Sequence, residues 1–176
     1  MLVHFRRFAD YNKWANGRLY DACAQLPSDE YFKDRPTFFG SIHRTLNHIV
    51  VGDTIWTSRL HGTSPSIPLN EELYADLSSL RAARGKMDDD IIAYMADRTE
   101  VEMAGDVTFE TTSGDPHSMV RGVILQHFFN HQTHHRGQVH DMLSQTAVAP
   151  PPLDLLYFIR GSAPNVGFCT SSLIRF

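Results

Sequence analysis

The sequence predicts an all-α protein, a four-helix bundle with a short hairpin or extended loop before its last long helix. Four long segments repeat apolar residues at intervals of three and four, the spacing of one helix face. Glycines and prolines cluster between these segments, as expected of loops. With 176 residues, the chain is long enough for one domain with a full hydrophobic core. We therefore expect a single domain over residues 1–176, with an irregular tail from about residue 161.

The first two helices are predicted over residues 3–25 and 40–61. Pro27 ends the first helix, because proline cannot continue one. Gly62 ends the second, since glycine is common directly after a helix. Each segment carries one apolar face, which must be buried against a neighbouring element.

The third helix is predicted over residues 70–99. Asn70 is a suitable N-cap for it, and Gly85 in its interior is expected to bend or break it. Residues 106–117 follow, with alternating apolar residues and then the turn sequence Ser-Gly-Asp-Pro. This pattern predicts the short hairpin or extended loop.

The fourth long helix is predicted over residues 119–144, followed by a short last helix over residues 153–159. Five of the ten histidines of the chain lie within residues 126–140. On a helical wheel His127, His131 and His135 share the apolar face, because each is one turn from the next. His134 lies at the edge of this face and His140 on the opposite side.

A pair of buried imidazoles has two interpretations. Unpaired polar groups are costly to bury, and a divalent metal shared by His131 and His135 would compensate both rings. Alternatively, the rings are neutral and hydrogen-bonded within the bundle, or lie on the surface without a role. The spacing alone leaves both interpretations open.

A catalytic metal site needs a third protein ligand and an open position. His48 lies at the edge of the apolar face of the second helix, whereas His43 lies far from it. Asp53 lies within that face, where a carboxylate needs a partner. It either accepts the second N–H of a ligand histidine or pairs with Arg136 or Arg59. A fourth ligand, Asp53 or His127, would indicate a structural metal instead.

Composition narrows the function classes. The net charge of −4 without a Lys/Arg run argues against nucleic-acid binding. The two cysteines, Cys23 and Cys169, do not form a disulfide framework. Neither a signal peptide nor a membrane-spanning apolar run is apparent, so we expect a cytoplasmic location. The apolar Leu125, Phe129 and Leu143 lie opposite the apolar face of the last long helix, which favours a homodimer.

Four segments together resemble the DinB/YfiT-like family of metal-binding four-helix bundles. They are residues 46–56 (LNHIVVGDTIW), 130–138 (NHQTHHRGQ), 11–16 (YNKWAN) and 152–157 (PLDLLY). The resemblance implies an up-down-down-up bundle in which His48, His131 and His135 bind one divalent metal. That metal is zinc or nickel, with iron or manganese as alternatives. Family members of known activity include metal-dependent thiol transferases and thiol-dependent isomerases, and dimers are common among them.

The sequence thus predicts a metal-dependent enzyme that activates a thiol or water and acts on a small-molecule substrate. A low-molecular-weight thiol is the expected second substrate. The absence of a Glu beside the histidine pair argues against a metallopeptidase, and no motif for an organic cofactor is recognisable. No catalytic residue can be assigned from the sequence. The alternative is a non-catalytic bundle, with a metal that is structural or serves a stress response.

Overall fold

The structure, a computed structural model, describes residues 1–162. These residues form a mostly helical protein with one small two-stranded sheet. In chain order the elements are α1 (Leu2–Cys23), α2 (Ser28–Phe32), α3 (Ile42–Leu60), α4 (Leu77–Ala96), a 3-10 turn (Glu102–Ala104), β1 (Asp106–Glu110), β2 (Pro116–Val120), α5 (Arg121–Ser144) and α6 (Leu155–Ser162). The predicted short last helix is confirmed, and it continues two residues into the segment expected to be irregular. The rest of the predicted tail lies outside the described residues.

The four long helices pack laterally on one another. Helix α1 contacts α4 and α5, and α3 contacts the same two helices. The predicted hairpin is present: β1 and β2 pair antiparallel, from Asp106 opposite Val120 to Glu110 opposite Pro116. The helical class and the hairpin are therefore confirmed, whereas the up-down-down-up order stays a prediction.

The apolar core has two parts, one at each end of the long helices. One part surrounds Phe5 and Phe128 and includes the buried face of β1. The other surrounds Leu19 and Leu46 and includes the C-terminal turns of α5. Between them, many of the buried side chains of the same four helices are polar or charged. This middle layer holds the groups described in the next subsection.

Helix α4 begins later than predicted. Asp76 is its N-cap and accepts a hydrogen bond from the backbone N–H of Ser79 at 2.9 Å, so the prediction of Asn70 as N-cap is wrong. The preceding segment is held by Asn47, whose side chain accepts from the backbone N–H of Tyr74 (3.0 Å) and donates to its carbonyl (3.1 Å). These bonds fix residue 74 in a non-helical conformation. Gly85 does not break the helix.

The residues that suggested a dimer are buried within the chain. Leu125, Phe129 and Leu143 are at most 6% exposed, because α5 is covered by both α1 and α3. The homodimer stays a prediction, but these three residues do not support it, because they are already buried within one chain. Among the described residues, no helix is both long and apolar enough to cross a membrane.

Candidate metal centre

Three histidines from two helices meet in the middle layer. His48 of α3 and His131 and His135 of α5 each place a ring nitrogen within 4.8 Å of the other two. The Nε2 atom of His48 is 3.2 Å from the Nε2 atoms of both His131 and His135. Three nitrogens bound to one tetrahedral zinc at ~2.0–2.1 Å would be about 3.3 Å apart. The structure thus brings together the three residues that the family resemblance implied, and we call them the histidine cluster.

Hydrogen bonds on the far side of the rings determine which nitrogens are free. The Nδ1–H of His48 donates to the carbonyl oxygen of Leu69 at 2.7 Å. The Nδ1–H of His135 donates to Oε1 of Gln138, also at 2.7 Å. A neutral imidazole carries one proton, so the Nε2 atoms of both rings present lone pairs to each other. Such lone pairs repel at this distance unless a cation binds them, and the donor set therefore fits a divalent transition metal.

The protonation state of the cluster also suits metal binding. Burial, followed by the neighbouring histidines, lowers the pKa of His131 to about 3. Burial lowers the pKa of His135 to about 4 and also lowers that of His48. The three imidazoles are therefore neutral near pH 7, which is the form that binds a metal.

Two residues next to the cluster were not identified from the sequence. Gly52 of α3 lies against the ring of His131, and a Cβ atom there would be only 2.8 Å from its Cε1 atom. Phe39 stacks on His48, with ring centroids 4.0 Å apart, and its edge contacts His135. A glycine inside a predicted helix is a sequence signal for close approach. Phe39 lies in a loop and gave no comparable signal.

The remaining histidine candidates lie outside the cluster. His127 and His134 are exposed on α5; His127 packs against Trp56 and His134 contacts Gln138. His43 was predicted far from the apolar face of its helix but is 2% exposed. It is buried because α2 packs on that side of α3, where the hydroxyl of Tyr31 is 3.0 Å from its Nδ1 atom.

Asp53 has neither of the roles predicted for it. Its Oδ2 atom accepts hydrogen bonds from the guanidinium of Arg84 and from Nε2 of Gln132, the latter at 2.7 Å. It contacts no histidine of the cluster and pairs with neither predicted arginine. A helical wheel identifies the buried face of α3 but not the helix that lies opposite, and Arg84 belongs to α4.

The partners of Asp53 extend through all four long helices. Arg84 also pairs with Asp88 at 2.9 Å, and Asp88 accepts from the side-chain amides of Asn12 (2.9 Å) and Asn16 (3.0 Å). The guanidinium of Arg136 donates to Oδ1 of Asn12. We call this group the charge network. Its members are Asn12, Asn16, Asp53, Arg84, Asp88, Gln132 and Arg136. Two carboxylates and two guanidiniums balance one another, so the network needs no external ion.

A cavity of about 580 Å³ adjoins the histidine cluster, and His48 forms part of its wall. Phe38, Phe39 and Leu69 contribute apolar surface, and Glu72 lies among the polar lining residues. The cavity is large enough for a small molecule. A molecule in this cavity would lie beside the ring of His48.

The fold and the site together define a mostly helical protein with a three-histidine cluster of metal-binding geometry. A family model described as the DinB family matches residues 1–166, so the chain belongs to the DinB family, as its sequence motifs indicated. Protein DinB of Bacillus subtilis (strain 168) is 25% identical over 152 residues, covering 82% of this chain and 87% of that protein.

A solved structure gives a consistent comparison. The crystal structure of a DinB-like protein from Bacillus cereus matches with a TM-score of 0.61 at 16% sequence identity. The match covers 82% of this chain and 94% of that one. At this identity the comparison establishes a shared fold and carries no information on activity.

Proposed function

We propose that this protein is a divalent-metal-dependent enzyme in which His48, His131 and His135 hold the metal. The observation that carries the proposal is the convergence of three neutral imidazole nitrogens at distances that fit one tetrahedral ion. No carboxylate or thiol within residues 1–162 joins this group. The proposed site therefore has three protein ligands and one position open to a substrate, which is typical of catalytic zinc.

The donor set favours zinc or nickel, because imidazole suits these ions whereas iron and manganese sites commonly include carboxylates. When bound, such an ion lowers the pKa of a coordinated thiol or water and so supplies a nucleophile at neutral pH. Other residues of the chain orient the metal-binding rings. Leu69 and Gln138 fix the rings of His48 and His135 by hydrogen bonds, and Phe39 covers the ring of His48.

A thiol suits this site better than water as the activated group. Water activation commonly uses a nearby carboxylate as a general base. The described residues contribute none to the cluster, and Glu72, the carboxylate in the wall of the adjoining cavity, pairs with Arg44. A thiol loses its proton more readily than water does and needs no such base. We therefore infer a transfer between a low-molecular-weight thiol and a small electrophile, with the cavity beside His48 receiving the electrophile.

A structural metal is the second candidate, favoured by one observation. The cluster joins α3 to α5 across 83 and 87 residues of sequence, so a bound ion would cross-link two distant helices. Metal binding of this kind stabilises the folded state. In that case removal of the metal would lower the melting temperature, but added thiols would not reach the ion.

Absorption spectroscopy of the cobalt-substituted protein distinguishes these functions. If a thiol binds the metal, glutathione, bacillithiol, mycothiol or cysteine will produce sulfur-to-cobalt charge-transfer bands that are absent before addition. The His134→Ala variant is the matched control and should respond like the wild type. If none of the four thiols changes the spectrum, thiol transfer is excluded in favour of water activation or a structural metal.

We also infer the up-down-down-up order of the long helices. The two parts of the core support it. One contains the N-terminal turns of α1 and α5 with the C-terminal turns of α3 and α4, and the other contains the opposite ends of the same helices. In a bundle of this order the histidine cluster joins two adjacent helices.

A further inference from the structure

Arg59 differs from every other buried arginine of the described residues. Four arginines within residues 1–162 are buried: Arg35, Arg59, Arg84 and Arg136. Three of them have polar partners: Arg35 pairs with Glu30, Arg84 with two aspartates, and Arg136 with Asn12. Arg59 is 6% exposed and forms neither an ion pair nor a side-chain hydrogen bond with the described residues. Its Nε–H is buried without an acceptor among these residues, as is that of Arg84, but Arg84 has carboxylate partners for its charge.

The surroundings of Arg59 are aromatic and lack compensating charge. Its guanidinium lies 4.6 Å from the ring centre of Trp56 and 4.7 Å from that of Phe109. These cation–π contacts attract the charge but accept none of its hydrogen bonds. Burial lowers the pKa of Arg59, with no contribution from a nearby carboxylate. A guanidinium nevertheless stays charged in proteins, so Arg59 is a nearly buried cation without a counter-ion, and its Nε–H has no acceptor among the described residues.

A continuous row of side chains connects Arg59 to the histidine cluster. The ring of His131 is 5.8 Å from that of His127, which is 5.0 Å from that of Trp56, and Arg59 covers Trp56. Gly52, which touches His131, and Arg59 are seven residues apart on α3, or about 10 Å along the helix axis. The cluster and the unpaired cation thus lie along one side of α3, separated by little more than an aromatic ring and an imidazole.

We propose that Arg59 binds a carboxylate of the thiol substrate. The inference rests on the proposed function for the thiol end of that substrate. It names the substrate class: a thiol that carries a carboxylate on the order of 10 Å from its sulfur, since about 10 Å of helix axis separates the α3 residues beside the two groups. A guanidinium binds a carboxylate through two parallel N–H···O bonds. A divalent ion and Arg59 would also give this face positive potential, which attracts anions to a chain of net charge −4.

Calorimetric titration of the zinc-loaded protein with matched probes tests this proposal. The probes are mercaptooctanoate, its uncharged methyl ester, and octanoate, which has no thiol. The variants are Arg59→Met and Arg59→Lys, with Arg18→Met as the control. Arg18 also stacks on a tryptophan, Trp14, at 5.1 Å, but it is exposed. Zinc content and circular dichroism are measured for every variant.

The wild type and the Arg18→Met variant should bind the acid about tenfold or more tightly than the ester. This ratio corresponds to the free energy of a hydrogen bond to a charged group. Arg59→Met should abolish this preference without loss of zinc. Arg59→Lys should retain part of it, since the charge remains but the paired donors are lost. Octanoate should bind more weakly to Arg59→Met than to the wild type.

The proposal is overturned if the wild type binds acid and ester equally, or if Arg59→Met keeps the preference. An equal loss of affinity for both probes in Arg59→Met would show a structural role for Arg59 and would also overturn it. A further outcome is that the thiol probes do not bind the metal but octanoate binding still depends on Arg59. Arg59 would then be an anion-binding residue, and the proposed thiol function would be rejected.

Discussion

The histidine cluster and the charge network lie side by side in the middle layer and are built from neighbouring residues. Gly52 accommodates the cluster and Asp53 belongs to the network. On α5, His131 and His135 alternate with Gln132 and Arg136 in the same way. The two groups differ in their chemistry, because the network joins carboxylates to guanidinium and amide donors, whereas the cluster directs three ring nitrogens at one point.

We infer from this difference that the network stabilises the fold and that the cluster binds a ligand. The network is balanced internally, and removal of one member leaves an uncompensated charge within the protein. The cluster is balanced only by a ligand, and removal of one member relieves repulsion in the metal-free state. Substitutions in the network should therefore lower stability, whereas substitutions in the cluster should lower metal affinity.

The largest effect is expected for Arg84→Met. This change leaves Asp53 and Asp88 buried without their main partner, so the free energy of unfolding should fall by about 3–5 kcal/mol. Urea denaturation followed by circular dichroism measures it. The control is Arg81→Met on the same helix, whose exposed pair with Asp21 should be worth less than about 1 kcal/mol. Equal losses in the two variants would mean that the network does not stabilise the fold.

Gly52→Ala should have a smaller effect, confined to the cluster. The added methyl group overlaps the ring of His131 and displaces that ligand, while α3 itself gains a better helix former. Metal affinity should fall about tenfold to a hundredfold, as for other residues that orient a ligand. Zinc competition titration measures the change, with Gly85→Ala, which meets no neighbouring atom, as the control. Unchanged affinity would contradict the close contact.

The smallest effect is the pH dependence of the metal-free protein. The folded-state pKa values of His131 and His135, about 3 and 4, lie below the unfolded value of ~6.5. Between these values the unfolded chain binds more protons, so stability is full above pH ~6.5 and declines as the pH falls towards 3. The melting temperature should therefore decrease from pH 7 to pH 4.5.

Double substitution of His131 and His135 by Gln should make this decrease smaller, since glutamine does not titrate. At every pH at which zinc stays bound, it should also reduce this decrease in melting temperature, because protons and the metal compete for the same nitrogens. Identical pH profiles for the metal-free wild type and the double variant would show that these two rings do not have lowered pKa values.

Much of the fold could be predicted from the sequence because local periodicity determines which segments are helical. The start of α4 could not, since it depends on bonds between Asn47 and Tyr74, which are far apart in sequence. The same limit applies to the site. Spacing indicated His127, His131 and His135, whereas the exclusion of His127 and the choice of His48 required the family resemblance. The partner of Asp53 and the positions of Phe39 and Leu69 depend on how the helices and loops pack.

The most direct test of the difference between the histidine cluster and the charge network is the number of metal ions bound per chain in single histidine variants. Equilibrium dialysis and elemental analysis measure it. The wild type and His134→Ala should bind one zinc per chain. Ala substitutions of His48, His131 or His135 should abolish stoichiometric binding without lowering the stability of the metal-free protein. Loss of zinc from His134→Ala together with its retention by His131→Ala would contradict the assignment of the cluster as the metal site.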